Sequence, residues 1–205
     1  MTIAILGAGN MGKGLAKRLA AAGEEVLLAA RDPKKTAEAA KAIGGKVKAA
    51  TLSGAASAGI IILAVPYAQA GAALNELGDL AGKVIVDITN AVGPNMSMAV
   101  TGNSSAAEEI QKKAGKAKVV KAFNTLFANF FDKTYAKNPP QVFYAGDDAP
   151  AKERVATLIR QIGFEPVDAG PLENARQLEA MGNLAIRVAY SLGRGTTFTP
   201  AFLSH

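Results

Sequence analysis

The 205 residues contain no cysteine and no tryptophan, and the one histidine, His205, is the last residue. Without cysteine there is no disulfide framework, no thiolate metal site and no cysteine nucleophile. With histidine confined to the final position, imidazole acid–base chemistry and histidine metal ligation have no residue inside the chain, and no metal site is expected. No apolar run approaches the roughly 20 residues of a bilayer-spanning helix; the longest, 60–65, reads as a buried strand. Met1 runs straight into an apolar strand with no leader-like pattern, so the expectation is a cytoplasmic protein without a membrane segment. Positive charge is nowhere massed. The net charge of +6 is spread over helical stretches such as Lys13, Lys17 and Arg18. Zinc-finger spacing and basic–aromatic motifs are absent, so no nucleic-acid partner is expected.

Glycine, by contrast, is plentiful and its placement is informative. Residues 3–6 form an apolar strand that runs into Gly7-Ala-Gly9-Asn10-Met11-Gly12, followed by a helical pattern of Met11, Leu15 and Leu19. This is the strand–loop–helix context that gives the GxGxxG spacing its meaning. Gly7 makes the tight turn, Gly9 lets backbone approach a pyrophosphate, and Gly12 lets the helix sit close to the sheet. The pyrophosphate then lies against the free N–H groups at the helix start.

The second strand, 25–30, ends in Arg31-Asp32-Pro33-Lys34-Lys35. NAD-preferring sites place a carboxylate about 20 residues after the loop to hold the ribose hydroxyls. Here that place falls at Ala30 or Arg31, and a guanidinium there suits a 2′-phosphate through charge-assisted hydrogen bonds. Lys35 adds a second charge. Asp32 followed by Pro33 reads as a helix N-cap with proline at the first helical position, rather than as a displaced ribose ligand. The cofactor expected is therefore NADP(H).

Strands and helices alternate along the chain: strands near 46–49, 60–65, 84–87, 118–122, 141–144 and 164–168, with helices near 33–43, 51–57, 67–77, 106–114, 148–163 and 173–191. Such alternation predicts an α/β fold, a Rossmann-type doubly wound and mostly parallel sheet, with ligands beyond the carboxyl ends of the strands. The stretch 92–105 has no periodicity and reads as a loop near that site.

Three strand ends should open into one crevice: Ala64-Val65-Pro66, Thr89-Asn90-Ala91 and Asn124-Thr125. Pro66 stiffens its loop and removes a donor. Asn90 and Asn124 either bring uncharged amides to the crevice or serve as turn and cap residues. Phe123, Phe127, Phe130 and Phe131 read mostly as core, with one or two free to face a flat ring. Asp87, inside its strand, reads as a holder of backbone N–H groups. No side chain in this crevice is a candidate for proton transfer, so no catalytic residue is assigned. Ketone or imine reduction usually calls for a proton donor, whereas hydride passage between two flat rings needs chiefly their alignment.

The blocks Gly7–Ala16, Ala30–Pro33, Leu63–Pro66, Asp87–Asn90, Lys121-Ala-Phe-Asn-Thr125, Gly146–Asp148 and Asp168-Ala-Gly-Pro-Leu172, with Arg176 and Glu179 after them, resemble the NADPH-dependent reductases of the deazaflavin coenzyme F420. The resemblance implies a Rossmann domain over residues 1–172, a small C-terminal helical lobe over 173–205, and a homodimer. It implies nucleotide contacts from Gly7, Gly9, Asn10, Met11, Gly12, Arg31 and Lys35, and from Ala64, Val65, Pro66, Asn90, Ala91 and Asn124. It also implies hydride transfer between NADP(H) and F420 beside the nicotinamide. The domain is similar, too, to the cytoplasmic part of membrane ferric reductases, which makes FMN or FAD an alternative second cofactor. Two further alternatives remain: reduction of a small imine or carbonyl, and a non-catalytic NADPH-sensing module.

Overall fold

The computed structural model describes residues 2–203, so His205 lies outside the described residues. In chain order the elements are β1 (Thr2–Leu6), α1 (Asn10–Ala21), β2 (Glu25–Ala29), α2 (Pro33–Ile43), β3 (Val47–Ala50), α3 (Leu52–Ala55), β4 (Ile60–Leu63) and α4 (Tyr67–Asn75). They continue with β5 (Val84–Asp87), α5 (Ala106–Ala114), β6 (Lys118–Ala122), β7 (Gln141–Gly146), α6 (Ala149–Gln161), β8 (Glu165–Asp168) and α7 (Ala175–Ile186). One sheet of 8 strands runs in the order β3-β2-β1-β4-β5-β6-β7-β8. Neighbours are parallel except for β6 with β7. This is the doubly wound, mostly parallel sheet that the alternation implies.

Successive residues of each inner strand feed opposite faces, which is why these strands read as unbroken apolar runs. Ile3 and Ile5 of β1 share one core with Leu15 and Leu19 of α1 and, further along the same face, with Val155 and Ile159 of α6. Ala4 and Leu6 face the other way, with Leu74 of α4 and Ile110 of α5. Four helix starts are fixed by side chains that accept an N–H from the first turn: Asp32, Thr51, Ser105 and Asp148. α1 begins differently. Its first turn follows Gly9, and no side chain caps it.

Element ends shift from the sequence reading by one or two residues in several places, and two differences bear on the site. The apolar run 60–65 leaves the sheet after Leu63, so Ala64, Val65 and Pro66 form a loop. The helix read as 173–191 is α7 followed by one wider π-type turn, Arg187–Ser191. Along it Leu178, Met181, Leu184, Ala185 and Val188 recur at spacings of three and four, which would put Leu184 on the buried face, yet Leu184 is 61 % exposed while Glu179 is 3 % exposed. The face that meets the sheet runs through Leu178, Glu179, Gly182 and Ala185, because a buried cation beneath the helix draws Glu179 inward. Of α7, Ala175 joins the core shared with α5, and Leu178 and Met181 pack on Phe143 and Ala145 of β7. Among the described residues, no helix is long and apolar enough to cross a membrane.

Candidate functional site

The strand order reverses between β1 and β4, and the carboxyl ends of β1, β4, β5 and β6 open there into a cleft, as expected at such a switch point. The cleft has two lobes. One of about 270 Å³ is lined by Gly7, Gly9, Ala30, Arg31, Leu52 and Glu76, among others. The other, of about 380 Å³, is lined by Asn10, Met11, Asn90, Asn124, Phe127, Gly182 and Tyr190, among others. Ala64, Val65 and Pro66 line both, so the loop after β4 is the wall they share.

The three glycines of the first loop differ in what demands them. Gly7 takes a φ of +119°, and a Cβ there would stand 2.2 Å from the Ala64 carbonyl oxygen; at Gly12 it would stand 1.9 Å from that of Gly7. Both are required by packing alone. Gly9 has an ordinary φ of −76°, and a Cβ there meets nothing within 4 Å. The fold therefore has no use for a bare backbone at Gly9. A ligand laid against the uncapped start of α1 does, and a diphosphate suits that position.

At the far end, Arg31 is exposed and makes no hydrogen bond or ion pair among the described residues. Its guanidinium is free to meet an anion. Asp32 is the helix cap the sequence suggests: its Oδ1 accepts the Lys35 backbone N–H at 3.0 Å. Lys35 itself is not among the residues lining the lobe. Its ammonium stands on the helix surface, 82 % exposed and 3.8 Å from Asp32 Oδ2, because that turn of α2 points along the helix rather than into the cleft.

In the second lobe, Asn90 and Asn124 face each other across the ends of β5 and β6. Asn90 Nδ2 donates to the Asn124 carbonyl at 2.7 Å. Asn124 Nδ2 donates to Asn90 Oδ1 at 3.1 Å and to the Leu178 carbonyl at 2.7 Å. Backbone carbonyl partners fix both amide orientations, since only the nitrogen can donate to them. Both N–H donors of Asn124 and one of the two of Asn90 are thus used internally. What remains is mixed: among the described residues Asn124 Oδ1 is buried without a partner, as are the hydroxyls of Thr89 and Thr125 beside it in the wall, which can donate or accept. Buried polar atoms are normally satisfied, so this wall carries unmet hydrogen-bonding capacity suited to a polar ring substituent. Phe123, just before Asn124, adopts a φ of +59°, uncommon for a bulky residue and typical of over-determined functional turns. Ala91, expected at the site, is not in the lining; the chain turns away there and its carbonyl accepts from Ala99 N at 2.7 Å.

Behind the amides lies a charge cluster that sequence reasoning missed. Asp87 and Lys121 are register partners on β5 and β6, both fully buried. Lys121 Nζ contacts Asp87 Oδ2 at 2.8 Å and Glu179 Oε1 at 2.9 Å, and donates to the Thr89 carbonyl at 2.6 Å. Asp87 Oδ1 also accepts the Thr89 N–H at 2.9 Å, the backbone-holding role read for it. Glu179 accepts the first N–H groups of α5, from Ala106 at 2.9 Å and Ala107 at 3.1 Å, so the helix dipole offsets the extra negative charge. Every donor of the ammonium is thus met. A lysine inside the otherwise apolar strand Val119-Val120-Lys121-Ala122, beside a strand ending in aspartate, was the available signal. Nearby, burial raises the Tyr67 phenol above the ordinary tyrosine range, with the carboxylates of Glu109, Glu179 and Asp87 adding to it.

The second lobe itself is nearly free of titratable groups. Tyr190, on the π-type turn, is the exception among its lining residues; the sequence reading had found none, because it carried the α-helix through that turn. Its ring meets Phe127 edge-on at 6.2 Å, and Phe127 meets Phe198 at 5.7 Å. Phe130 and Phe131 are buried in the core, leaving Phe127 as the phenylalanine beside Tyr190 on the wall.

A doubly wound sheet with a glycine loop and a free guanidinium at its switch point defines a nicotinamide-dependent oxidoreductase of the NADP class. Residues 2–91 match the family model described as NADP oxidoreductase, coenzyme F420-dependent. The chain is 33 % identical over 206 positions to the F420-dependent NADP reductase of Methanothermobacter marburgensis, covering 92 % of each chain. It is 32 % identical over 180 residues to the rat metalloreductase STEAP3, covering 87 % of this chain but 36 % of that protein. A crystal structure from Arthrobacter sp. FB24, provisionally described as an F420-dependent NADP reductase, superposes with a TM-score of 0.86 at 32 % identity, over 98 % of this chain and 99 % of that one. The chain belongs to the family of F420-dependent NADP reductases.

The glycines give a paired test. Gly9→Val is expected to cost about 1 kcal/mol of stability through the weaker N-cap and to abolish nucleotide binding. Gly12→Val is expected to prevent normal folding, since its Cβ has no room. Thermal melting and calorimetric titration with NADPH read both; wild-type affinity in Gly9→Val would mean the nucleotide lies elsewhere.

Proposed function

We propose that this protein transfers a hydride between NADP(H) and coenzyme F420, with the adenosine half of the nucleotide in the smaller lobe and the nicotinamide in the larger. The observation that carries the reading is the continuity of one cleft from the free guanidinium of Arg31, past the bare backbone of Gly9, to a nearly uncharged chamber at the strand ends. The hydride chemistry would be supplied by the nicotinamide and deazaflavin rings themselves.

The chain's part is binding and alignment. Gly7, Gly9 and Gly12 shape the turn, and the N–H groups at Asn10 and Met11 begin the helix that faces the diphosphate. Arg31 pairs with the 2′-phosphate, while Lys35, displaced on the helix surface, contributes long-range attraction. Val65 and Pro66 separate the two halves of the nucleotide. Asn90 and Asn124 form the polar end of the nicotinamide chamber, and Phe127 and Tyr190 the aromatic side where a second flat ring fits. With Tyr190 the one titratable side chain lining the chamber among the described residues, the wall favours a transfer governed by ring alignment over one that needs a positioned acid. The resemblance to ferric-reductase domains keeps a flavin as the competing acceptor. A homodimer, implied by family resemblance, belongs to the same proposal; exposed Leu184 and Leu192 lie near the chamber on the end of α7 and the turn beyond it.

Anaerobic NADPH oxidation, assayed side by side with F420, FMN and a ferric chelate, tests the acceptor: F420 is expected to react fastest, and turnover of FMN alone would replace it. For the donor, Arg31→Ala is expected to weaken NADPH binding by about 1–3 kcal/mol, the range for a charged hydrogen bond, with NADH scarcely affected. Equal losses for both nucleotides would remove the 2′-phosphate assignment.

A further inference from the structure

The buried charge cluster and the amide wall are carried by the same three elements. Asp87 is followed by Thr89 and Asn90 on the β5 end, Lys121 by Asn124 and Thr125 on the β6 end, and Glu179 by Gly182 on α7. Gly182 lies one turn past Glu179 and is pressed onto the amide pair: a Cβ there would stand 2.5 Å from Asn90 Oδ1 and 2.7 Å from Asn124 Nδ2. The Leu178 carbonyl, beside Glu179, holds Asn124 Nδ2 at 2.7 Å. α7 therefore touches the chamber wall through backbone, at a height that leaves no slack.

Something must set that height. Apolar packing anchors the helix at Ala175, in the core shared with α5, and at Leu178 and Met181 on Phe143 and Ala145, but none of these contacts lies against the amide pair itself. The stronger tie is Glu179, whose carboxylate is gripped by Lys121 Nζ at 2.9 Å and by two N–H groups of α5. Charge-assisted bonds in a dry interior are stronger and more directional than side-chain packing.

We propose that Glu179 is a positioning residue for the nicotinamide half of the bound nucleotide. Through Lys121 and the start of α5 it seats α7 on the strand ends and so holds Asn90, Asn124 and Gly182 as one wall of the chamber. The inference rests on the NADP(H) reading above. The structure supplies its own control. Arg176, in the first turn of the same helix, makes a bidentate pair with Glu108 of α5 at 2.5 and 2.9 Å. That pair bridges the same two helices but is partly exposed, and neither residue lines the chamber.

The test compares two ligands by calorimetry: NADPH, and adenosine 2′,5′-bisphosphate, which carries the adenosine and 2′-phosphate half and no nicotinamide. The quantity read is the ratio of their affinities, which isolates the grip on the nicotinamide half. Glu179→Gln keeps the side chain's shape and an acceptor for α5 but removes the charge. It is expected to leave bisphosphate affinity within twofold of wild type and to lower the ratio at least threefold. Gly182→Ala, which disturbs the same wall without touching the charges, is expected to lower the ratio likewise and serves if Glu179→Gln does not fold. Arg176→Met, which loosens the α5–α7 contact elsewhere, is expected to lower the melting temperature and leave the ratio unchanged.

An unchanged ratio in Glu179→Gln or, where that variant does not fold, in Gly182→Ala overturns the inference. So does an equal fall in Arg176→Met, which would make helix docking in general the cause, or a wild-type ratio near one. Failure of the wild type to bind the bisphosphate is a different result: it overturns the NADP(H) reading, and this inference with it.

Discussion

The position of α1 against β1 governs the rest of the site. Gly12 packs so closely on the Gly7 carbonyl that no side chain fits between them, and this contact decides where the helix begins and where its first N–H groups point. Because the helix starts at a bare, uncapped Gly9, those groups face the cleft at the switch between β1 and β4. The second strand ends beside β1 at Ala29, and the loop that follows it carries Arg31. A diphosphate-sized anion at one point and a guanidinium at another are placed by the same short contact between two glycines.

Charge is distributed with a clear division. The smaller lobe carries Arg31, a free cation among the described residues, on the open rim, together with the carboxylate of Glu76. The larger lobe keeps charge off its walls and behind them, where Lys121, Asp87 and Glu179 satisfy one another. A buried ion cluster of this kind gives little net stability, because desolvation offsets attraction. Breaking it by removing one partner is costly, at about 3–5 kcal/mol. Its value lies in direction: it fixes two strand ends and a helix in one arrangement, beside a chamber whose chemistry depends on the alignment of rings.

The first half of this arrangement is legible in the sequence because local rules write it. Gly7, Gly9 and Gly12 sit at fixed spacing after an apolar strand; Asp32-Pro33 signals the helix start that the structure shows, with Asp32 Oδ1 on the Lys35 N–H. Apolar runs of the inner strands give the parallel sheet. The rest depends on contacts between residues far apart in the chain. Glu179 reaches Lys121 across 58 positions of sequence, and no periodicity announces it; helical spacing instead favoured Leu184, which is exposed. The pairing of Asn90 with Asn124 occupies three of their four amide N–H donors, which the residue types alone advertise as free. Lys35 misses the cleft because a helix turn, which sequence position does not reveal, points it outward. Tyr190 enters the wall only because α7 widens into a π-type turn.

The central claim is that one nucleotide, NADP(H), spans both lobes with its 2′-phosphate on Arg31. A crystal structure of the protein with NADP+ tests it most directly. The expected result is a diphosphate against the N–H groups following Gly9, the 2′-phosphate within hydrogen-bond distance of the Arg31 guanidinium, and the nicotinamide beside Asn124. A nucleotide bound with Arg31 turned away from its ribose, or with the Gly9 backbone bare, would contradict the account.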